Sequence, residues 1–300
     1  MKNQERAYLY AALAILCWST VAVAFKIALS QLSIIQTLSI SCYTAITGLS
    51  SYIFFTGKWK EFYKIDRRFI LQSAFLGLLN PFLYYLVLFK AYSVLPAQIA
   101  QPLNYTWPLI LVLLSIIFLK QKISKAAILG IFISFLGVLI ISMQGGSSIT
   151  DIENPMGVAF SIGSSLIWAT YWLLNASRLK YQESGLLLNF IFAGIYITLL
   201  MLITNGFHHF QIKGVLASIY IGFFEMGFTF LIWLKALQLS KDSGKVSHLV
   251  YFAPFISLFF IHIFLKEPIY GTTFIGLIFI IGGVIVSKLK KRNNTINTSL

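Results

Sequence analysis

Residues 97–119 read AQIAQPLNYTWPLILVLLSIIFL, followed by Lys120. The run is long enough to cross a bilayer core, which takes about 20 apolar residues. Yet its first half carries Gln98, Gln101, Asn104 and Tyr105, together with Pro102 and Pro108. The same pattern returns later in the chain. Tyr105-Thr106-Trp107-Pro108 matches Tyr251-Phe252-Ala253-Pro254 at an offset of 146, and Phe118-Leu119-Lys120 matches Phe264-Leu265-Lys266 at the same offset. Further out, Gly130 and Gly137 match Gly276 and Gly283, Lys90-Ala91 matches Lys235-Ala236 at 145, and Trp18 and Thr20 match Trp168 and Thr170 at 150. The chain therefore reads as an internal duplication.

The composition places this duplication in a membrane. Of 300 residues, 58% are hydrophobic and 11% charged, and the mean hydropathy is +0.82. Soluble domains carry about 25% charged residues, so an ordinary cytosolic enzyme, a disordered chain and a nucleic-acid-binding domain are excluded. The net charge of +14 comes from basic residues lying between long apolar runs, a membrane pattern. Cys17 and Cys42 sit inside apolar stretches and outline neither a disulfide framework nor a zinc site.

Ten apolar stretches qualify as spans: 8–29, 35–55, 69–91, 97–119, 126–143, 156–175, 185–204, 214–237, 246–265 and 272–288. Runs of this kind are helical, because an alternating barrel strand cannot be so uniformly apolar. The first could be a signal peptide, with Ala22-Val23-Ala24 as a cleavage-like site, but the run continues past Ala24 and the repeat needs it. With the N-terminus in the cytoplasm, eighteen Lys and Arg residues fall on cytoplasmic segments, and only Lys213 and Lys266 fall on the opposite side. Lys26, Lys90 and Lys235 lie near span ends, where long side chains snorkel. This bias puts both termini inside.

The expected fold is all-α: a polytopic membrane protein with ten transmembrane helices as two inverted five-helix repeats. Residues 1–143 form the first repeat, 144–155 an external linker, 156–288 the second repeat and 289–300 a basic cytoplasmic tail. Five spans is an odd number, so the second unit enters from the opposite side. Two opposed halves around a central site are the architecture of alternating access. The bland alternative is an ancient duplication in a scaffold or membrane enzyme.

Several residues then become candidates for a solute site. In the run 97–119, Gln101, Asn104 and Tyr105 share one helical face with Gln98. That face is either the wall of a wet cavity or interhelical glue, the latter worth about 0.6 kcal/mol per bond. His248 and Tyr251 occupy the corresponding face of the run 246–265. His248 is either an imidazole exchanging protons near neutral pH or a neutral core histidine. Glu225 is the only acid in the middle of an expected span, and Asn80 stands at its counterpart position. It binds a substrate ammonium, carries a coupled proton, or serves as a neutral hydrogen-bonding group. Trp18 and Trp168 lie near mid-span, where they stack on a solute, gate the path, or simply pack. The recurring glycines are explained by close helix packing. No P-loop, His-Glu-x-x-His or Ser/His/Asp set is present, so the sequence calls for no cofactor, no metal and no catalytic residue.

These motifs resemble the drug/metabolite transporter superfamily, EamA-type branch, over residues 7–288. Trp18 followed by Lys26, Pro108 and Pro254 at the family's mid-helix proline, and Leu265-Lys266-Glu267-Pro268 carry the likeness. Ser19 replaces the usual glycine, Gln121 stands where the family often has Glu, and Ser41-Cys42-Tyr43 lacks a common arginine. Asn104-Tyr105-Thr106-Trp107-Pro108 is similar to the branch that exports aromatic amino acids. The resemblance implies a secondary transporter, mainly an exporter, of small metabolites such as amino acids across a bacterial inner membrane. Its partners would be the solute, the lipid bilayer and a possible coupling proton, with no nucleic acid; monomer and homodimer stay open. One rival is uptake or exchange of a nucleotide-derived metabolite such as S-adenosylmethionine. The other is a non-transporting membrane enzyme or scaffold.

Overall fold

A computed structural model describes residues 2–119, 125–146, 154–175, 181–207, 209–240, 246 and 249–287. Every element among them is helical. The helices are α1 (Lys2–Leu29), α2 (Ile34–Phe55), α3 (Arg67–Val94), α4 (Ala97–Asn104), α5 (Trp107–Leu119), α6 (Lys125–Ser142), α7 (Pro155–Asn175), α8 (Gln182–Ile203), α9 (Ile212–Leu239), α10 (Leu249–Leu265) and α11 (Gly271–Ser287). Six of these, α1, α2, α3, α7, α8 and α9, are long and apolar enough to cross a membrane. α6, α10 and α11 contain shorter apolar helices.

Local chemistry sets the helix ends. Ser33 and Gln36 form a reciprocal capping box at the start of α2. Asp66 caps α3 through the Phe69 N–H at 2.9 Å. The run 97–119 is not one helix. It breaks at Tyr105–Thr106, and Pro108 sits in the first turn of α5, where its missing N–H is harmless. α10 behaves alike: a tight turn over Leu249–Phe252 precedes the α-helical part, and Pro254 lies at its start. Both prolines thus mark restarts of a helix rather than kinks within one.

The packing repeats between halves. α1 packs on α9 and α10, and α7 packs on α3, α4 and α5. α2 meets the middle of α9, α8 meets the middle of α3, and the pairs α2–α8 and α6–α11 close the bundle. Helices in lipid have no hydrophobic drive to associate, so close backbone approach matters. Glycines provide it. A methyl at Gly137 would lie 2.5 Å from the Gly276 carbonyl, and one at Gly222 would lie 2.5 Å from the Ser41 carbonyl. In the corresponding contact of α3 with α8, Gly77 abuts the Asn189 carbonyl.

α3 is kinked within Leu78–Leu83, where Asn80 leaves the helical region (φ −145°, ψ 124°) ahead of Pro81, and α9 is widened by a π-turn over Gly222–Gly227. Such a turn leaves backbone groups free and often marks a functional position. Glu225 lies in it. The freed Phe224 carbonyl accepts from the Thr229 hydroxyl at 2.5 Å.

Candidate functional site

Between the two halves lies a cavity of about 60 Å³. α1 contributes Trp18, α3 Tyr84, α4 Gln101 and Asn104, α7 Trp168 and α9 Glu225. Tyr105 and Trp107, at the break between α4 and α5, complete the lining together with a few apolar side chains. This volume is well below the roughly 300–1,000 Å³ usual for a ligand site.

Its polar groups are unequally satisfied. Glu225, 7% exposed, accepts from the Tyr85 hydroxyl at 2.9 Å through Oε1, while Oε2 has no partner. Gln101 is 3% exposed, and its Oε1 also has none. Asn104 is held on both sides: Oδ1 accepts from the Tyr84 hydroxyl at 3.3 Å, and Nδ2 donates to Ser164 at 2.8 Å. A buried acceptor left bare costs about 1–3 kcal/mol, more if charged. Two such acceptors on one cavity therefore mark a place built to receive donors. Asn80, the counterpart of Glu225, is fully buried with neither side-chain polar atom partnered, but it does not line the cavity.

Serines on α7 secure the broken helix beside the cavity. Ser161 donates to the Ala100 carbonyl at 2.6 Å, and Ser165 donates to the Asn104 carbonyl at 2.7 Å. On the opposite side, Ser19 of α1 donates to the Ala253 carbonyl at 3.1 Å. The backbone opened by the breaks is thus satisfied from the neighbouring half, as irregular backbone at membrane depth requires.

One end of the bundle carries a latch of hydrogen bonds between the halves. The Glu267 carboxylate accepts the N–H groups of Ala97 and Gln98, the free donors at the start of α4, at 3.1 and 3.2 Å. Gln98 returns the contact: its Nε2 donates to the Pro268 carbonyl, and its Oε1 accepts from the Tyr270 N–H at 2.9 Å. Lys26 donates to the Tyr92 and Leu95 carbonyls at 3.0 and 3.1 Å, a cation on the C-terminal end of α3.

The other end is hollow. A second cavity of about 430 Å³ opens between α7, α8 and α9, with Asn175, Gln182 and Gln238 near its mouth. Its inner wall includes Phe230 and Tyr171. Phe230 packs against Trp168 at 5.7 Å and edge-on to Trp18 at 6.4 Å. Trp168 in turn lies 4.6 Å from the Tyr84 ring. An aromatic partition thus separates the large hollow from the small cavity. At the same end, Lys58 pairs with Glu183 at 2.5 Å, and Ser184 donates to Glu61 at 2.6 Å, tying the turn Lys58–Lys64 to α8.

The structure brings together Trp18, Gln101, Asn104, Tyr105, Trp168 and Glu225. Tyr251 does not join them. It is buried behind the lining, in an apolar cluster with Leu109, Trp233 and Val250 against which Trp18, Tyr105 and Trp107 also pack. His248 lies outside the described residues. Gln98, expected on the same wall as Gln101, belongs to the latch instead. Tyr85 was not legible as a site residue, because the kink at Asn80 and Pro81 shifts the helical phase of α3. Its position opposite Glu225 had no signal in the sequence.

A helical bundle with similarly packed halves, discontinuous helices and a polar cavity between them is an arrangement that membrane transporters use. The family comparison gives the particular identity. The EamA-like transporter family matches residues 5–143 and again 155–289, and the chain belongs to that family. A relative from Archaeoglobus fulgidus, named an uncharacterized transporter, is 25% identical over 292 residues, covering 96% of this chain and 99% of its own. Another from Acidianus ambivalens, an uncharacterized transporter in the sor 3′ region, is 26% identical and covers 78% of this chain and 88% of its own. A solved crystal structure shares the fold with a TM-score of 0.66 at 19% identity, covering 97% of this chain and 98% of the other. The chain is a multi-pass membrane protein of transporter lineage, which supports a role other than an enzyme's.

Proposed function

We propose that this chain is a secondary transporter that carries a small amine-bearing metabolite, amino acids foremost, by alternating access across the cell membrane, mainly outward. In this reading ten spans form two inverted five-helix halves, with both termini in the cytoplasm. The bias of Lys and Arg toward one set of segments supports that orientation. The matching contacts of α1 with α9 and of α7 with α3 support the inverted pairing.

On this topology the Glu267 latch closes the external side and the hollow beside Phe230 opens to the cytoplasm. Solute enters the hollow, which falls in the usual range of about 300–1,000 Å³ for ligand sites. Rotation of Phe230 and Trp168 then joins it to the central cavity. Glu225 takes the ammonium group, and Gln101 and Asn104 supply amide contacts. Breaking the latch and closing the hollow releases the solute outside.

The observation that carries this reading is the meeting of two unpartnered acceptors, Glu225 Oε2 and Gln101 Oε1, on one cavity between the halves. Purified protein in sealed vesicles tests it through counterflow of a labelled panel of amino acids, amines and nucleosides. Exchange above empty vesicles, lost in Glu225→Gln, is the expected result. Absence of exchange for the whole panel, with folded protein, defeats it.

A further inference from the structure

The central cavity is chemically one-sided. Glu225 is the one formally charged residue in its described lining, and no Lys, Arg or His lines it among the described residues. The nearest basic residue along α1, Lys26, spends its ammonium on the Tyr92 and Leu95 carbonyls. The hydroxyls of Tyr84 and Tyr85 already donate to Asn104 and Glu225, and the Asn104 amide already donates to Ser164. Two buried acceptors are left without a partner: Glu225 Oε2 and Gln101 Oε1.

The rest of the lining is mainly aromatic. Trp18, Phe25, Tyr84, Tyr92, Tyr105 and Trp168 all border the same space. Phe25 and Tyr92 meet edge-on at 5.1 Å, opposite the tilted pair Tyr84 and Trp168 at 4.6 Å. A ring presents its negative face to a cation, and a group of rings around a carboxylate is the general recipe for holding an ammonium or quaternary ammonium group. A solute carboxylate would find no Lys, Arg or His in the described lining and would lie close to the Glu225 carboxylate, and a buried charge without a countercharge is strongly disfavoured.

We propose that the preferred solute is an organic cation, an amine or quaternary ammonium compound lacking a carboxylate, rather than a zwitterionic amino acid. This rests on the transport reading above and departs from its preference for amino acids within the amine-bearing class. The ammonium sits between Glu225 Oε2 and Gln101 Oε1, and the apolar body lies against Trp18 and Trp168.

Matched solutes test it on the wild-type protein, free of any folding question. Choline and glycine betaine share a trimethylammonium head and differ in the carboxylate; tryptamine and tryptophan differ likewise. In counterflow from sealed vesicles, labelled choline should exchange at least tenfold faster than labelled glycine betaine. Tryptamine should inhibit that exchange at a concentration at least tenfold below tryptophan. Glu225→Gln should abolish choline exchange while Glu225→Asp retains part of it, with thermal unfolding in detergent confirming that both variants fold. If the carboxylate-bearing member of each pair moves or inhibits equally well or better, the cation assignment is overturned while the transporter reading stands. If neither pair nor any member of the wider panel exchanges, both fall.

Discussion

The hydroxyl of Tyr85 donates to Glu225 Oε1 at 2.9 Å across the interface of the two halves, and no group of the described structure meets Oε2. One oxygen of the carboxylate is therefore fixed, and the other is buried without a partner beside the cavity. Tyr85→Phe removes the fixing bond. A hydrogen bond to a carboxylate is worth about 1.5–3 kcal/mol, so the concentration for half-maximal exchange should rise at least tenfold. Initial rates against solute concentration measure this; an unchanged value would show that Tyr85 does not position Glu225.

The Glu267 latch predicts a shift in accessibility. Glu267→Gln keeps the size of the side chain but exchanges a charged acceptor for a neutral one. Charge-assisted hydrogen bonds are roughly twice as strong as neutral ones, so the end closed by α4 should open more often. With Cys17 and Cys42 replaced by Ala, a cysteine at Leu88 in the cavity lining should react several-fold faster with an impermeant maleimide added outside. Equal rates with and without the substitution would remove Glu267 from gating.

Phe230→Ala should act on the opposite path. Losing a buried Phe typically costs about 3–5 kcal/mol, so the melting temperature in detergent should fall. The same Leu88 cysteine should then label faster from the cytoplasmic side and no faster from outside. Faster labelling from both sides would mean general loosening instead of a partition.

Gly137→Ala tests the α6–α11 seam. The added methyl would sit 2.5 Å from the Gly276 carbonyl and 2.8 Å from the Ile280 nitrogen. Such overpacking costs about 1–3 kcal/mol. The variant should unfold at a lower temperature while cavity labelling patterns persist, because the seam lies away from Glu225. A thermal midpoint equal to wild type would show that the helices separate there without cost.

The Lys58–Glu183 pair gives a prediction about pH. Partial burial pulls the Lys58 ammonium down, but the hydrogen bond and charge of Glu183 outweigh it and hold Lys58 above the ordinary lysine value. Its contribution is therefore complete below the ordinary lysine range and lost only as pH rises through the higher folded value. A pair this exposed is worth at most about 1 kcal/mol. Lys58→Met should lower the thermal midpoint slightly and by the same amount at pH 6 and pH 9; a difference that vanishes by pH 9 would contradict the shift.

The sequence made several of these features readable because lipid imposes simple rules. The apolar runs mark the helices, and Glu225 stands out as the lone mid-run acid. The glycines at 137 and 276 pointed to close packing, and the methyl clashes between α6 and α11 bear this out. What could not be read depends on local breaks in regular geometry. A regular helix through 97–119 puts Gln98 and Gln101 on one wall, but Pro96 and the break at Tyr105 end α4 at eight residues. Gln98 then becomes a helix-start residue with free N–H and amide groups, and those go to Glu267 and Pro268. The kink at Asn80 within Leu78–Leu83 similarly sets the phase that brings Tyr84 to the cavity and Tyr85 to Glu225. Tyr251, assigned by its match to Tyr105, follows the tight turn Leu249–Phe252 into the core instead.

The central claim is a single polar cavity reached in turn from each side of the membrane. Its most direct test is a cysteine at Gln101, in an otherwise cysteine-free protein in sealed vesicles, challenged with impermeant maleimide from outside and, separately, from within. The account predicts labelling from both sides, with Glu267→Gln favouring the outer reagent and transported solute slowing both reactions. Labelling from one side alone, in the wild type and in Glu267→Gln alike, would contradict it.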